Sequence, residues 1–333
     1  MSPEISVIIP CRNEKDFIQD TIKSLLNQNG LSGNIEIIVV DGCSTDGTKE
    51  ILDQISLTDE RVKVINNQKK VTPVALNLGI TNSSAKYICI MGAHAEYSDD
   101  YLFNCLQLFK KHPEVSCVGG PITSRGKNNF AKAAAIAMSS SIGVGNAKHR
   151  FPQYEGYAEM ACFPMFKRDV FDKYGFYDES LIRNQDDEFC FRISKAGEKI
   201  FISPKVKSIY YVRDSAVKLF RQYFQYGFWR VAVLQKHKTP ISFRQQVPIL
   251  FFSSIFLLVI AGFFFSNIYV AIILPLIYFL ILIIFSIKII INSGILIGAN
   301  FILSVFILHL SYAAGFAWGV LNFILKKNTI DRN

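Results

Sequence analysis

No Cys-x-x-Cys pair or other zinc-ligand spacing occurs in the 333 residues, although seven cysteines are present: Cys11, Cys43, Cys89, Cys105, Cys117, Cys162 and Cys190. That spacing excludes a zinc finger or ribbon. Their odd number, and their place in apolar runs where a thiol acts as a small hydrophobe, point to a reducing compartment. A secretory leader is lacking at the start, because Ile5–Pro10 is too short for one and follows the acidic Glu4. Nucleic-acid-binding motifs are lacking too, and the basic residues are scattered, so a nucleic-acid partner is excluded. Charge itself is scarce in one place: from Val247 to Leu325 the only formal charge is Lys288.

What is present divides at that boundary. Ahead of it lies a soluble head of about 240 residues, rich in Asp, Glu, Lys and Arg; behind it lies a membrane tail. The tail reads as about three spans, Val247–Phe265, Ile268–Ile287 and Ile295–Leu325, each able to cross a hydrocarbon core of ~30 Å. The last is overlong, which fits one tilted helix or a span plus an interfacial piece. Lys236, Lys238 and Arg244 beside the first span place the head in the cytoplasm. Three crossings then put Lys326, Lys327 and Arg332 on the far side, against the same rule, whereas an even number keeps them inside. The net charge of +9 suits a protein beside a bilayer and also attracts anionic phosphates of lipids or nucleotides.

The head alternates strand and helix patterns. Short β-branched runs at Ile5–Pro10, Ile35–Val40, Val62–Ile65, Tyr87–Met91 and Val115–Val118 read as buried strands. Helical spacing follows at Phe17–Leu26, from Ser44 through Leu52, from Thr72-Pro73, and over Asp99–Lys111. This order predicts a mostly parallel, doubly wound sheet, in which ligands bind beyond the carboxyl ends of strands. That rule selects Pro10–Glu14, Asp41–Asp46 and Gly92–Glu96. Beyond Gly120 the pattern loosens: Asn129–Asn146 is rich in small residues, Met160–Phe166 is apolar, and Lys167–Tyr174 and Asp186–Ala196 read as helices. Ser215–His237 is amphipathic, either an ordinary core helix or one lying at the membrane interface.

Particular residues carry chemistry. Asp41, at a buried strand end, can accept hydrogen bonds from a base or ribose, while Ser44 to Asp46 also supply helix-capping groups. Asp186 opens a helix in Asn184-Gln-Asp-Asp-Glu-Phe-Cys-Phe-Arg192. A hydroxyl is a poor nucleophile, and a carboxylate beside the reacting carbon can take its proton as the new bond forms.

Pro10-Cys-Arg-Asn-Glu14 after a strand, then Val40-Asp-Gly-Cys-Ser-Thr-Asp-Gly-Thr48, resembles the nucleotide-binding half of family 2 glycosyltransferases. The likeness continues through Ala75-Leu-Asn77-Leu-Gly79-Ile80 and covers roughly residues 4–230. Within the family it resembles the membrane-attached transferases that extend lipid-linked saccharides, of the succinoglycan glucosyltransferase kind. The resemblance implies a GT-A fold, Rossmann-like, followed by an all-α transmembrane tail. Residues 1–240 would be the cytoplasmic transferase domain, with a nucleotide-binding half (1–120), an acceptor half (121–214) and an interfacial helix (215–240); residues 245–326 would be the transmembrane region. Further implied are a UDP-sugar donor, a divalent metal (Mg²⁺ or Mn²⁺), inversion at the anomeric carbon and a polyprenyl-linked acceptor at the bilayer. By the same resemblance Pro10, Arg12, Glu14, Asp41, Asn77, Gly92 and His94 contact the nucleotide sugar and Asp186 is the general base. Gln185, Asp187, Gln222, Trp229 and Arg230 serve the acceptor or diphosphate, the last three in a reordered Gln-x-x-Arg-Trp segment. The usual Asp-x-Asp metal motif is replaced by Gly92-Ala93-His94, which leaves His94 and Glu96 as the metal-ligand candidates. Two alternatives stand beside this reading: transfer onto a polyprenyl phosphate itself, and a degenerate protein that binds a sugar nucleotide without turnover.

Overall fold

The computed structural model describes residues 3–31, 33–238, 242–264 and 269–325. The chain forms two compact units, one of Met1–Thr123 with Lys148–Tyr210, the other of Ser124–Ala147 with Tyr211–Asn333.

The first unit opens with β1 (Ile5–Cys11), α1 (Ile18–Leu26), β2 (Ile35–Asp41), α2 (Thr48–Thr58), β3 (Val62–Asn66), α3 (Thr72–Thr81) and β4 (Tyr87–Ile90). It continues with β5 (Ala95–Tyr97), α4 (Tyr101–Lys111) and β6 (Cys117–Gly120), and then β7 (Ile122–Arg125) leads to α5 (Asn129–Met138) and α6 (Ser141–Val144). After these come β8 (Gly156–Tyr157), β9 (Cys162–Lys167), α7 (Asp169–Tyr174), α8 (Gln185–Lys195), β10 (Ile200–Ile202) and β11 (Ser208–Tyr211). The main sheet has eight strands in the order β3-β2-β1-β4-β9-β6-β10-β8.

β1 shows why the sheet is covered on both faces. Its alternate residues Val7, Ile9 and Cys11 belong to the core that α1, α2 and α4 complete with Ile18, Ile22, Leu52, Leu102 and Phe109. Ile8 points the other way, into a core with Leu76 and Ile80 of α3, Val170 of α7 and Phe189 of α8. The strand period of two thus feeds two helical layers. α3 lies so close that a Cβ on Gly79 would stand 2.4 Å from Ile8 Cγ2, a distance only glycine permits.

The expected parallel order holds for β3-β2-β1-β4 and for β6 with β10. Between these groups β9 runs antiparallel to both β4 and β6. Sequence reading found only an apolar run there, because a short run buried on both faces carries no directional signal.

The second unit holds α5, α6, α9 (Ala216–His237), α10 (Val247–Phe264), α11 (Tyr269–Ser293) and α12 (Ile295–Gly319), the last continued by a wider turn over Val320–Leu325. Here the expected linear boundaries are corrected: residues 124–147 and 211–238 fold with the tail. Small residues are the reason. A Cβ on Gly227 of α9 would lie 2.0 Å from the Tyr312 carbonyl oxygen of α12, and one on Gly315 would lie 2.0 Å from the Phe224 carbonyl oxygen. Ala131, Ala133, Ala134 and Ala137 of α5 are buried, and α5 also packs on α12. Such stripes let helix backbones approach closely.

Among the described residues three helices are long and apolar enough to cross a membrane: Phe243–Gly262, Ile272–Ser293 and Ile295–Ile324. The third, at 30 residues, measures about 45 Å at ~1.5 Å per residue, beyond a ~30 Å hydrocarbon core. α11 and α12 meet at Gly294, whose φ of +92° turns the chain back, and Tyr278 Oη lies 3.0 Å from His309 Nδ1 across the hairpin. The expected span ends at Phe265 and Ile268, the boundary at 240, and Lys326, Lys327 and Arg332 lie outside the described residues.

Candidate active site

The loops after β1 and β2 are tied to each other. Cys11 stands opposite Asp41 in the parallel register. The Asn13 amide donates to Ser44 Oγ at 2.8 Å, the Thr45 amide to Asn13 Oδ1 at 2.9 Å, the Glu14 amide to Thr48 Oγ1 at 2.9 Å and the Lys15 amide to Asp46 Oδ2 at 3.2 Å. Asn13 and Cys43 take φ values of +56°, which side chains rarely adopt, and the cross-links hold them there. Asp41 is fully buried and accepts the Ser44 amide at 3.1 Å and the Ser44 hydroxyl at 2.5 Å. Its carboxylate therefore shapes the second loop from beneath. Just ahead of α2, Asp46 accepts the Thr48 hydroxyl at 2.6 Å and the Thr48 amide at 3.1 Å, and the hydroxyl bond leads in lowering its pKa. Burial raises the pKa of the Cys11 thiol, with Asp41, Glu14 and Asp46 adding to the rise, so this cysteine stays protonated and inert. Pro10 is half-buried opposite Val40, and the Arg12 side chain is exposed, its stem against Gly42.

Beyond β4 the structure explains the altered motif. A Cβ on Gly92 would lie 3.1 Å from Phe163 Cε1, and the Gly92 amide donates to Tyr97 Oη at 2.7 Å. The Phe163 ring packs edge-on against Tyr97 with centroids 5.2 Å apart. Two aromatic rings thus occupy the space a longer side chain at 92 would need. His94 Nδ1 lies 3.1 Å from Glu14 Oε1, and its ring stands between Phe17 and Tyr210, 6.4 and 6.5 Å from their centroids. The carboxylate requires the proton on Nδ1, leaving Nε2 as the second ring nitrogen for a ligand. The carboxylate bonded to His94 is that of Glu14. Glu96 is exposed on β5, a strand whose pairing with β11 sets Glu96 opposite Ile209 and turns Ala95 and Tyr97 to the core. Among the described residues no three His, Cys, Asp or Glu side chains gather as a metal-holding group.

Asp186 sits exposed in the first turn of α8, with its Oδ1 accepting the Asp187 amide at 2.9 Å; Gln185 and Asp187 are half-buried beside it. The helix start is fixed from below. Glu188 is fully buried and receives Arg192 Nε at 3.2 Å and Nη2 at 3.0 Å. The same guanidinium donates to the carbonyls of Tyr174 and Phe176. Asn184, with φ +62°, makes the turn into the helix.

The strand register sets these groups at one edge. β4 runs parallel to β1, so Gly92 to His94 follow from the same end as Cys11 to Glu14. β9 runs antiparallel to β4 with Met165 opposite Cys89, so its first residues, Cys162 and Phe163, lie at that end too. Cys162 senses what surrounds it: burial pushes its thiol up to about 11, with Arg150 opposing and Asp186 adding to the rise. Arg150 is a cation that sequence reading missed, because the loop preceding β8 carries no pattern. The remaining predicted residues have the following partners. Asn77 spends its amide on a cross-link, donating to the Tyr177 carbonyl at 2.9 Å and Glu179 Oε1 at 3.1 Å and accepting the Tyr177 amide at 3.0 Å. In the second unit, Gln222 donates to Tyr226 Oη at 2.9 Å, Trp229 packs on Phe228 and Phe323, and Arg230 is buried.

Comparison with known proteins fits this arrangement. The glycosyl transferase family 2 profile matches residues 6–175. The succinoglycan biosynthesis protein ExoA of Rhizobium meliloti is 33% identical over 247 residues, spanning 73% of this chain and 74% of that one. A dolichyl N-acetyl-alpha-D-glucosaminyl phosphate 3-beta-D-2,3-diacetamido-2,3-dideoxy-beta-D-glucuronosyltransferase of Methanococcus voltae is 29% identical, spanning 70% of this chain and 74% of that one. Among solved structures, the mannosyltransferase PcManGT of Pyrobaculum calidifontis, in complex with GDP-Man and Mn2+, superposes with a TM-score of 0.59 over 96% of this chain and 88% of that one, at 17% identity. The interlocked strand-end loops, the mixed sheet and these matches lead to one conclusion: the chain belongs to glycosyl transferase family 2, and is a glycosyltransferase with the GT-A fold.

Proposed function

We propose that this protein transfers one sugar from a nucleotide sugar, a UDP-sugar by the family resemblance, to a lipid-linked saccharide during surface polysaccharide assembly, with inversion at the anomeric carbon. The observation that supports the reading is the exposed Asp186 carboxylate, presented in the first turn of a helix clamped by the buried Glu188–Arg192 pair. The donor's nucleoside would rest on the Pro10–Glu14 and Asp41–Asp46 loops, with Arg12 and His94 facing the diphosphate. Asp186 takes the proton of the acceptor hydroxyl as its oxygen bonds to the anomeric carbon; the bond to the nucleoside diphosphate breaks on the opposite face, and the nucleotide leaves as the anion. A single displacement of this kind inverts the configuration. The spans would keep the acceptor lipid in the bilayer during the reaction. The name of the Methanococcus voltae relative specifies a dolichyl sugar phosphate, which favours a lipid-linked sugar over a bare lipid phosphate as acceptor.

The test is donor profiling. Membranes containing the full chain and lipid-linked acceptors are incubated with a panel of nucleotide sugars, with and without a chelator, and the lipid product is weighed by mass spectrometry. One sugar added per acceptor supports the reading. A sugar attached directly to lipid phosphate supports transfer to polyprenyl phosphate, a nucleophile that needs little help from a base. Nucleotide binding with no product from any donor overturns both.

A further inference from the structure

The second unit has an uneven charge. Its two segments, 124–147 and 211–333, hold 14 Lys and Arg against 2 acidic residues, Asp214 and Asp331, a formal +12, whereas the whole chain carries +9. Asp214 pairs with Lys218. Within this unit lies a cavity of about 400 Å³, inside the ~300–1,000 Å³ range of small-ligand pockets. Its wall is apolar where Leu234 of α9, Ile249 of α10 and Phe316 of α12 meet. Its polar side is cationic: Arg230, only 6% exposed, and Lys238 line it together with Gln246, and none of its lining residues is acidic. Two of its three walls, α10 and α12, are helices long and apolar enough to cross a membrane.

An apolar slot with a buried guanidinium has the shape of one ligand chemistry, a phosphate joined to a hydrocarbon chain. We infer that this cavity binds the phosphate head and first chain carbons of an anionic membrane lipid. Arg230 takes the phosphate oxygens through its planar fork, Lys238 adds charge, Gln246 donates a neutral hydrogen bond, and the chain lies along Leu234, Ile249 and Phe316. The inference does not depend on the transfer reaction or on Asp186. The phosphate has two sources, an isoprenoid phosphate or an ordinary phospholipid, and chain chemistry separates them.

The experiment is native mass spectrometry of the full chain in non-ionic detergent, titrated with undecaprenyl phosphate, with undecaprenol as the uncharged counterpart, and with phosphatidylglycerol. A bound phosphate lipid with at least tenfold preference over the alcohol is expected. Arg230→Gln weakens it about 10- to 100-fold, the worth of charge-assisted hydrogen bonds. Ile249→Trp, which fills the slot and leaves every charge in place, weakens it similarly and decides the matter should Arg230→Gln fail to fold. Preference for undecaprenyl phosphate makes the site an acceptor seat, and preference for phosphatidylglycerol makes it a resident-lipid seat. Equal binding of phosphate and alcohol, or wild-type affinity in Ile249→Trp, overturns the inference.

Discussion

Removing the Arg192 guanidinium tests how α8 presents Asp186. Arg192 meets a Glu188 carboxylate that is 0% exposed, while Arg192 itself is 23% exposed. Breaking a buried ion pair by deleting one partner costs about 3–5 kcal/mol, and partial access of water to Arg192 sets the lower end, about 3 kcal/mol, for Arg192→Ala. In a unit of roughly 190 residues, each kcal/mol moves Tm by ~2–4 °C, so a fall of about 6–12 °C is expected. Arg192→Lys restores the charge but not the fork that reaches Glu188, Tyr174 and Phe176 together, so it recovers less than half of the loss. Differential scanning fluorimetry gives Tm, and initial rates of transfer give kcat and KM. Because the clamp positions the first turn of α8, kcat falls more than KM rises at temperatures where the variant is still folded. A Tm within about 2 °C of the parent for Arg192→Ala, or full recovery by Arg192→Lys, refutes the clamp.

Three further outcomes are expected. Gly92→Asp, which restores the first acid of the family motif, forces the new side chain against Phe163 and lowers stability by about 1–3 kcal/mol, while Gly92→Asp with Phe163→Leu recovers part of it; thermal melts compare the two. At Glu36 burial alone would raise the pKa, but Lys63 Nζ at 2.7 Å, Ser6 Oγ at 2.6 Å and the Ser84 amide outweigh it and lower the folded value. A lowered carboxylate adds stability above its unfolded value of about 4.3 and loses it as pH falls through the folded value, so Glu36→Gln flattens the acid limb of the stability-against-pH curve. Gly227→Ala sets a methyl against the Tyr312 carbonyl, separates α9 from α12 and lowers the detergent-solubilised melting temperature, without changing the strand-end loops of the first unit.

Much of residues 1–120 was legible because its signals are local. β-branched runs marked β1 to β4, Pro73 marked the first turn of α3, and the strand-end rule selected the loops that interlock. Less legible were features set by distant residues. The direction of β9 depends on its neighbours, the Gly92 substitution makes sense only once Phe163 is seen beside it, and the partner of His94 is 80 positions away. The alanine-rich segment before Asn146 looked featureless because its meaning lies in close packing against α12, which small residues permit but do not announce. Asn77 matched a motif yet serves as a cross-link, a use that depends on the turn at Tyr177.

Base catalysis by Asp186 is tested by separating binding from turnover. The full chain and Asp186→Asn are compared for nucleotide-sugar affinity by calorimetry and for single-turnover transfer to a lipid-linked acceptor. Affinity is expected to stay unchanged within about threefold while the rate falls by about 10²–10⁴, the contribution of general-base catalysis. Transfer by Asp186→Asn at the parent rate would contradict it.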